Sequence, residues 1–343
     1  MRIGWIPFSS DLRIASARLR CALPARYLAD AGWDSKLVDR RDPYGYDVVV
    51  FQKAYDEDSL ALASRLSAGG TRLVFDLCDN HFYNPGASPV LEERAERLRR
   101  MLDLADAVTV STEQLRELVP ERDPTVVDDA LDELEAPSRP RMALAARLRP
   151  RRELRLVWFG NAGMETPSFG LPHLRGVIPV LEELRLATPL LLTVISNSKA
   201  AYRNVLRDAG FPHRYREWNV RRFPRDFCSN DICIVPIGRN PFTVCKTANR
   251  VALSLRLGVP VIADPIPSLD ELAPYILLGS WCENLSRYAS DRTLRASHAR
   301  EGRRYVDATY TPERVVAQWS AVFERVVDGR RAGDAAATES SAR

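Results

Sequence analysis

The amino-acid sequence lacks any apolar run approaching the roughly 20 residues that a membrane-spanning helix needs. Its first residues, MRIGWIPFSS, lack the charged and then apolar pattern of a secretory signal. The six cysteines include no CxxC pair, which argues against both a zinc site and a disulfide framework. We therefore predict a cytoplasmic protein with reduced thiols and at most peripheral contact with a membrane.

A strong charge of either sign is also lacking. The 49 Lys and Arg residues against 45 Asp and Glu leave a net charge of only +4, so nucleic acid is not an expected partner. Any site for an anion must therefore be local. The 343 residues, 45% hydrophobic and 27% charged, suit two α/β domains of ordinary size.

Short apolar runs rich in Val, Ile and Leu are abundant, and they alternate with amphipathic stretches. This pattern is typical of parallel strands that helices cover on both faces. The predicted strands are Arg2–Pro7, Val48–Gln52, Arg72–Asp76, Ala107–Ser111, Leu154–Gly160, Leu190–Ser196, His213–Trp218, Asp231–Pro236 and Val259–Ala263. The predicted fold class is α/β, with two Rossmann-like domains in tandem.

The strand pattern fades after Val119 into a stretch that three prolines interrupt and in which seven arginines fall between Arg139 and Arg155. We place the domain boundary here, with an N-terminal domain and linker at 1–150 and a C-terminal domain at 151–310. The arginine run is interpreted as a solvated helix and linker. Contact with acidic lipid head groups is the alternative.

A final helix is predicted over 311–328. Thr311 provides an N-cap, Pro312 a favoured first helical residue and Glu313 an early acid. The remainder, 329–343, is small, polar and charged, so a disordered tail is predicted there.

The segment DICIVPIGRNPFTVCKTANRVALSLRLGVPVIA carries the most chemical information, because a strand leads through a loop into a predicted helix over Thr243–Leu257. Lys246, Asn249 and Arg250, at offsets 0, 3 and 4, would share one face of its first two turns. The apolar face would be formed by Ala248, Val251, Ala252 and Leu255.

Two cations near a helix N-terminus oppose the helix dipole, at a cost of about 0.3–1 kcal/mol each. A bound anion reverses the sign, because free N–H groups, Lys246 and Arg250 would together hold a diphosphate. Asn249 could orient a phosphate or a sugar hydroxyl. Position after the carboxyl end of a strand favours this interpretation. The alternative is a basic face that water alone solvates.

Several motifs resemble those of the GT-B glycosyltransferases of group 1, or family 4. They are, in chain order, ASARLR, LVFDLCDNHF, VTVST, LVWFGNAG and KTANRVALSLRLGVPVIA, with Gln318-Trp319 in the last helix. The resemblance covers most of the chain and implies two Rossmann-like domains that face a central cleft. The N-terminal domain would bind the acceptor, the C-terminal domain a nucleotide-diphosphate sugar, and the final helix would cross back to the N-terminal domain. It also implies a reaction without metal and without a cofactor beyond the donor substrate.

One departure from the family pattern concerns a pair of glutamates eight residues apart. Whether the segment is aligned on Gly258 or on Phe242, neither position holds a glutamate. Some relatives carry a Lys-x-x-Asn-Arg helix in this place, which matches Lys246, Asn249 and Arg250. The missing pair leaves the donor sugar and the stereochemical outcome open.

Other donor-binding candidates follow predicted strands. A glycine at 160 lets the backbone approach phosphates, and by resemblance Trp218 lies beside the nucleobase. The full predicted set is Gly160, Asn161, Ser196, Asn197, Trp218, Phe242, Thr243, Lys246, Asn249 and Arg250. Ordinary turn chemistry and a core tryptophan are the alternatives.

In the N-terminal domain a polar cluster follows the apolar run of LVFDLCDNHF. His81 and Asp79 are the predicted catalytic residues, for contact with the transferred sugar or for acid–base work. Asn80 is expected beside them, and a metal is not, because no second histidine stands at ligand spacing. The alternative is a loop that satisfies its own backbone.

The ASARLR stretch places Arg18 and Arg20 near the start of the first helix. In a GT-B fold this position faces the cleft, so one of these arginines could bind a phosphate, with Arg18 the candidate for the acceptor side. Exposed helix arginines that form salt bridges are the alternative.

The predicted reaction is sugar transfer from a nucleotide-diphosphate sugar to a glycan, lipid-linked or small-molecule acceptor, with retention preferred. Lys246 and Arg250 would neutralise the leaving diphosphate in place of a metal. Three alternatives stay open. A nucleotide-sugar epimerase would depend on the Asp79 and His81 region, a non-catalytic GT-B protein would explain the missing glutamates, and a nucleic-acid-modifying glycosyltransferase would need a broad basic groove.

Overall fold

The computed structural model describes residues 1–137 and 153–341, with the backbone alone from 328 onward. The chain forms two compact units, one of Met1–Ala130 with Tyr310–Arg343 and one of Leu131–Thr309, called here unit 1 and unit 2. The domain boundary predicted at 150 lies outside the described residues, as does all of the predicted arginine run except Arg155. That residue lies in a strand, with its Nε 2.8 Å from Glu153 Oε1.

Unit 1 contains one six-stranded parallel sheet in the order β2–β1–β3–β4–β5–β6. The strands are β1 (Arg2–Pro7), β2 (Asp34–Leu37), β3 (Val48–Gln52), β4 (Arg72–Leu77), β5 (Ala107–Val110) and β6 (Thr125–Val126). Every residue of β3 is buried, as expected for a central parallel strand that helices cover on both faces. The helices are α1 (Leu23–Asp30), α2 (Glu57–Ala68), α3 (Pro89–Leu104) and α4 (Glu113–Arg116). Strand order reverses between β1 and β3.

Unit 2 contains a second six-stranded parallel sheet in the order β11–β10–β7–β12–β13–β14, and a small antiparallel hairpin β8–β9. The strands are β7 (Leu154–Phe159), β8 (Met164–Glu165), β9 (Ser168–Phe169), β10 (Leu190–Ser196), β11 (His213–Glu217), β12 (Ile232–Val235), β13 (Val261–Ala263) and β14 (Leu277–Leu278). The helices are α5 (Ile178–Ala187), α6 (Lys199–Val205), α7 (Phe223–Cys228), α8 (Asn249–Arg256), α9 (Trp281–Ser290) and α10 (Arg292–Thr309). Here strand order reverses between β7 and β12, and open α/β sheets bind ligands beyond the carboxyl ends of strands at such a point.

The last helix, α11 (Pro312–Ser341), packs on the sheet of unit 1. Thr311 Oγ1 accepts the Arg314 N–H at 3.3 Å, which is the predicted N-cap. Trp319 packs edge-on against Trp5 of β1, with ring centroids 4.7 Å apart. The sequence predicts disorder from 329, whereas the backbone is helical as far as Ser341. Three consecutive alanines at 335–337 suit that conformation.

The nine predicted strands all form, with ends that differ by two residues at most. The edge strand β2 could not be predicted, because DSKL is polar and only Ser35 of its four residues is buried. No helix in the described part of the chain is both long enough and apolar enough to span a bilayer.

Candidate functional site

The loops that follow β7, β10, β12 and β13 lie at one edge of the unit 2 sheet, because all four strands are parallel. Two backbone N–H groups of the first loop donate hydrogen bonds, one to the backbone of β10 and one to the side chain of the residue that follows it. The Gly160 N–H donates to Ile195 O at 3.1 Å, and the Ala162 N–H donates to Asn197 Oδ1 at 2.8 Å. The candidate donor residues of the sequence analysis surround this edge.

The helix that carries the basic residues begins later than predicted. α8 starts at Asn249, so the prediction of a helix from Thr243 is wrong, and Lys246 lies in the preceding loop. Lys246, Asn249 and Arg250 therefore do not share one face of two helical turns. The four residues predicted to form the apolar face, Ala248, Val251, Ala252 and Leu255, are all buried.

Side chains in the loop explain the late start. Asn240 Oδ1 accepts the N–H groups of Phe242 and Thr243 at 2.9 and 3.0 Å, and Thr243 Oγ1 donates to Gly238 O at 2.6 Å. These local bonds replace helical ones. Asn240 Nδ2 also donates to Ser168 O at 2.9 Å, which ties the loop to the β8–β9 hairpin. Buried Thr243 thus shapes the loop.

The ammonium of Lys246 lies over two aromatic rings of this loop and hairpin. Its Nζ is 4.1 Å from the centroid of Phe242 and 5.5 Å from that of Phe169. The two rings are themselves 5.1 Å apart. A cation held by two ring faces keeps its charge while its position is restricted. Phe242 therefore restricts the position of the Lys246 ammonium, a role that could not be predicted from the sequence.

The half-buried guanidinium of Arg250 lies at the carboxyl end of β7. Its Nη1 donates to Phe159 O at 3.4 Å, and its Cζ is 6.0 Å from the ring centroid of Trp158. Within residues 1–137 and 153–327 it has no carboxylate partner. Burial accordingly lowers the pKa of Arg250 below its ordinary value. A charge buried without a counter-ion is a cost that a bound anion removes.

Gly160 lies beside this guanidinium. A Cβ added at this position would be 3.1 Å from the Trp158 ring and 3.4 Å from Arg250 Nη1. Any side chain at 160 would therefore crowd the Trp158 ring and the Arg250 guanidinium, which explains the glycine beside this cation.

Four other predicted donor residues have structural roles at this edge. Asn161 Oδ1 accepts the Gly163 N–H at 2.8 Å, and Asn197 holds the Ala162 N–H as described above. Ser196 is fully buried. Half-buried Trp218 lies just after β11, whereas the sequence predicted it as the last residue of that strand. Its backbone N–H donates to Ser196 O at 2.9 Å. The bonds of Asn161 and Asn197 are ordinary turn chemistry, and that of Trp218 extends the pairing of β10 with β11.

His173 was not identified from the sequence. It lies in the 3₁₀ turn Leu171–Gly176, and its ring packs on the loop after β12, where a Cβ at Gly238 would lie 3.0 Å from Nε2. Burial lowers the pKa of His173, and the charge of Arg250 lowers it further. A lone histidine outside a strand end or motif gives no signal in sequence.

A second cluster lies beyond β3 and β4 in unit 1. Lys53 Nζ is 2.7 Å from Asp79 Oδ2 and 4.5 Å from the ring centroid of Phe8. Burial alone would lower the pKa of Lys53, but the adjacent Asp79 carboxylate raises it above the ordinary value. The backbone of Lys53 has a φ of 53°, a strained conformation for a residue with a side chain.

The other half of this cluster is His81. Its Nδ1 shares a hydrogen bond with the Tyr55 hydroxyl, and its Nε2 is 3.8 Å from Asp79 Oδ2. Burial raises the pKa of Tyr55 to about 12, so this phenol is neutral at ordinary pH. The structure thus brings the predicted pair of Asp79 and His81 together, and adds Lys53 and Tyr55 to it.

Asn80 and Arg18 have local roles. Asn80 Oδ1 accepts the N–H groups of Phe82 and Tyr83, both at 3.2 Å. Arg18 Nη1 donates to Leu12 O at 2.6 Å. Both side chains thus stabilise the loops next to them.

Arg20 and Asp76 form a buried ion pair, in which Arg20 Nε is 3.1 Å from Asp76 Oδ2 and the Thr109 hydroxyl donates to Asp76 Oδ1 at 2.8 Å. Because Arg20 is only 2% exposed and already paired, the suggestion that it binds a phosphate is wrong. Asp76 likewise serves the core of unit 1 and does not belong to the cluster of Asp79.

No family model and no curated protein matches this chain, but solved structures do. HepE (Alr3699) of Anabaena, solved in complex with UDP, has a TM-score of 0.68 at 12% identity, over 95% of this chain and 100% of that one. A glycosyltransferase of Rickettsia africae has a TM-score of 0.67 at 9% identity, over 95% and 98%. WaaG, a glycosyltransferase involved in lipopolysaccharide biosynthesis, has a TM-score of 0.61 at 12% identity, over 92% and 98%.

These similarities cover almost the whole length of each chain, and they agree with the two parallel sheets described above. Identities of 9–12% relate folds and not activities. The protein therefore has the α/β GT-B fold of glycosyltransferases, built from two Rossmann-like domains.

Proposed function

We propose that this chain is a glycosyltransferase that transfers a sugar from a nucleotide-diphosphate sugar to an acceptor bound by unit 1. The observation that carries the proposal is Arg250. It is a half-buried cation without a carboxylate partner in the described residues, at the carboxyl end of β7, where strand order reverses. HepE, which has the same fold, is solved with UDP and with UDP-glucose, so UDP-glucose is the first donor to test.

The diphosphate would bind between two cations. Arg250 would contact one phosphate and Lys246 the other, with the backbone of Gly160, which carries no side chain, next to Arg250. As the bond between the anomeric carbon and the phosphate oxygen breaks, the electron pair passes to the departing nucleoside diphosphate. Two positioned cations stabilise that developing charge, so the proposed reaction needs no metal ion or other cofactor.

The acceptor oxygen forms the new bond to the anomeric carbon. We propose retention, in which the departing phosphate takes the proton of the acceptor hydroxyl on the face that it leaves. Asn249 and Arg250, together with Lys246, would form the Lys-x-x-Asn-Arg variant of a family 4-like donor site, with Lys246 supplied by the loop before α8.

The cluster of Asp79, His81, Lys53 and Tyr55 would bind the transferred sugar and the acceptor. Asp79 has a cation beside it and His81 has a phenol beside it, so both side chains are oriented before any substrate binds. This cluster is also what an epimerase of the same fold would use, since it holds the acid–base groups.

The proposal is tested by incubating the protein with UDP- and GDP-sugars and measuring nucleoside diphosphate release and sugar isomerisation in the same samples. We expect one donor to release its nucleoside diphosphate, slowly to water and faster with an acceptor. Isomerisation without release would instead identify an epimerase. Binding without either product would identify a non-catalytic protein.

A further inference from the structure

Lys53 has two features that do not favour folding. Its φ of 53° is a left-handed conformation, which is strained for a residue that carries a side chain. Its side chain is only 13% exposed and is paired with that of Asp79, and a buried ion pair gains little over apolar side chains of the same size. Because neither feature stabilises the fold, a lysine at this position indicates a role in the site.

Three contacts fix Lys53 at the carboxyl ends of β3 and β4. Its Nζ is 2.7 Å from Asp79 Oδ2 and 4.5 Å from the ring centroid of Phe8. Its backbone N–H donates to Asp76 O at 2.9 Å, which continues the pairing of the two strands as far as the strained residue. The cation therefore has a defined position next to the Asp79 carboxylate before any substrate binds.

Three other ionisable groups lie around Asp79. The Cys78 thiol is 4.0 Å from Asp79 Oδ2, and burial raises its pKa to about 12, so it is neutral at ordinary pH. The Tyr55 phenol, which is bonded to His81, is neutral for the same reason. His81 Nε2 is 3.8 Å from Oδ2, beyond hydrogen-bond distance, and the ring is charged only when protonated. Burial opposes the charge of Lys53, but the Asp79 carboxylate raises the pKa of Lys53 above its ordinary value, so Lys53 alone of these four groups stays positive throughout the neutral range.

Two arginines face the same part of unit 1. Arg94 of α3 donates through Nη2 to His81 O at 3.1 Å, so it holds the backbone of the loop after β4. Deeper in the core, Arg20 is paired with Asp76. Both guanidinium groups thus have partners of their own, whereas Lys53 contacts the Asp79 carboxylate itself.

We propose that Lys53 is a positioning residue that keeps Asp79 ionised, so that Asp79 acts in the reaction as a hydrogen-bond acceptor for a sugar hydroxyl and not as a proton donor. An ionised carboxylate only accepts hydrogen bonds, whereas a protonated one also donates. Burial without a nearby cation favours the protonated form, and the adjacent ammonium reverses that preference. The inference rests on the proposed function, because it assigns Asp79 a part in turnover.

The test combines variants of Lys53 with two measurements. K53M keeps the apolar stem without the charge. K53N also lacks the charge, and it covers the case in which K53M does not fold, because asparagine adopts a positive φ more readily than most residues. The control R72M removes the cation of another ion pair of unit 1, in which Arg72 Nη1 is 2.6 Å from Asp106 Oδ1. Arg72 is the first residue of β4, at the opposite edge of the sheet from Asp79.

The first measurement is carbon NMR of protein labelled at the aspartate carboxyl groups, in which D79N assigns the signal of Asp79 and no substrate is needed. In the wild type and in R72M we expect Asp79 to titrate at or below the ordinary aspartate value of about 3.9. In K53M and K53N we expect its titration midpoint to rise by about 1–3 pH units.

The second measurement is the pH dependence of turnover with the donor that the wild type uses. In K53M and K53N kcat should fall about tenfold for each pH unit below the raised midpoint of Asp79, and it should recover toward the wild-type value above that midpoint. R72M should keep the wild-type profile.

An Asp79 midpoint that K53M and K53N leave unchanged overturns the inference. So does a loss of turnover that is equal at every pH, because Lys53 would then serve only the structure. A wild-type protein that turns over no donor would refute the proposed function, whereas the carboxyl titration would still decide whether Lys53 keeps Asp79 ionised.

Discussion

The ammonium of Lys246 lies 4.1 Å from the ring centroid of Phe242. A ring at this distance holds the cation in place before any diphosphate arrives, which reduces the entropy lost on binding. Both residues lie in the loop between β12 and α8.

Replacing the Phe242 ring removes the cation–π contact but leaves the charge of Lys246. We expect Phe242→Leu to weaken UDP binding about two- to fivefold, since a cation–π contact contributes about 0.5–1 kcal/mol. Uridine should bind as before. Calorimetry with both ligands measures the effect, and Phe211→Leu, a core change in the same unit, controls for lost stability. Equal weakening by the two variants would contradict a specific role for Phe242.

A side chain at 160 should close the space beside Arg250. Because a Cβ there would be 3.1 Å from Trp158, we expect Gly160→Ala to cost about 1–3 kcal/mol in stability and to weaken UDP binding roughly tenfold. The matched control is Gly176→Ala, where a Cβ would meet nothing within 4 Å. UDP affinities that coincide for the two variants would show that the space at Gly160 is not used.

Variants in unit 1 should lower turnover without weakening nucleotide binding, because we propose that the nucleotide binds unit 2. Asp79→Asn and His81→Gln alter unit 1 alone, so we expect the dissociation constant of UDP to stay within about twofold of wild type. Turnover should fall about 10- to 100-fold, because a hydrogen bond to a charged group that binds the sugar or the acceptor contributes about 1.5–3 kcal/mol. Ser88→Ala is a suitable control, because Ser88 makes no side-chain cap for α3. If the Asp79 and His81 variants both keep full turnover, this cluster has no part in the mechanism.

Two half-buried histidines, His213 and His298, give the protein a dependence of stability on pH. Burial lowers the pKa of His213 and of His298 below the ordinary value of about 6.5. Between the folded-state and the unfolded-state pKa of each histidine, the unfolded chain binds more protons than the folded one. The free energy of unfolding therefore rises with pH in this range, and stability is lost as pH falls below about 6.5. We expect a lower Tm at pH 5.5 than at 7.5, and a smaller difference in H213Q and H298Q. A Tm difference that these variants leave unchanged would exclude the histidines as its source.

Much of the fold could be predicted because its strands are continuous apolar runs. Arg2–Pro7 and Leu190–Ser196 were predicted with the ends that the structure has, since burial on both faces leaves an unbroken signal. The edge strand Asp34–Leu37 carries no such signal, because one side of an edge strand faces solvent.

The candidate site was predictable only in part. Arg250 could be located because its position follows a strand, but the start of its helix could not, since the side chains of Asn240 and Thr243 form a turn there instead. Lys53 is 26 residues from Asp79 in sequence, and only the pairing of β3 with β4 brings them together. Tertiary contacts of this kind leave no local pattern.

The central claim is that Arg250 and Lys246 bind the diphosphate of a nucleotide. Its most direct test is calorimetric binding of UDP and of uridine to Arg250→Ala and Lys246→Ala, with Arg256→Ala as control. Arg256 lies at the other end of α8, with its Nε 3.4 Å from Asp307. Charge-assisted hydrogen bonds contribute about 1.5–3 kcal/mol, so we expect UDP to bind roughly 10- to 100-fold more weakly to the first two variants. Uridine should bind them as it binds the wild type. Equal losses for UDP and uridine, or no loss for either, would contradict the account.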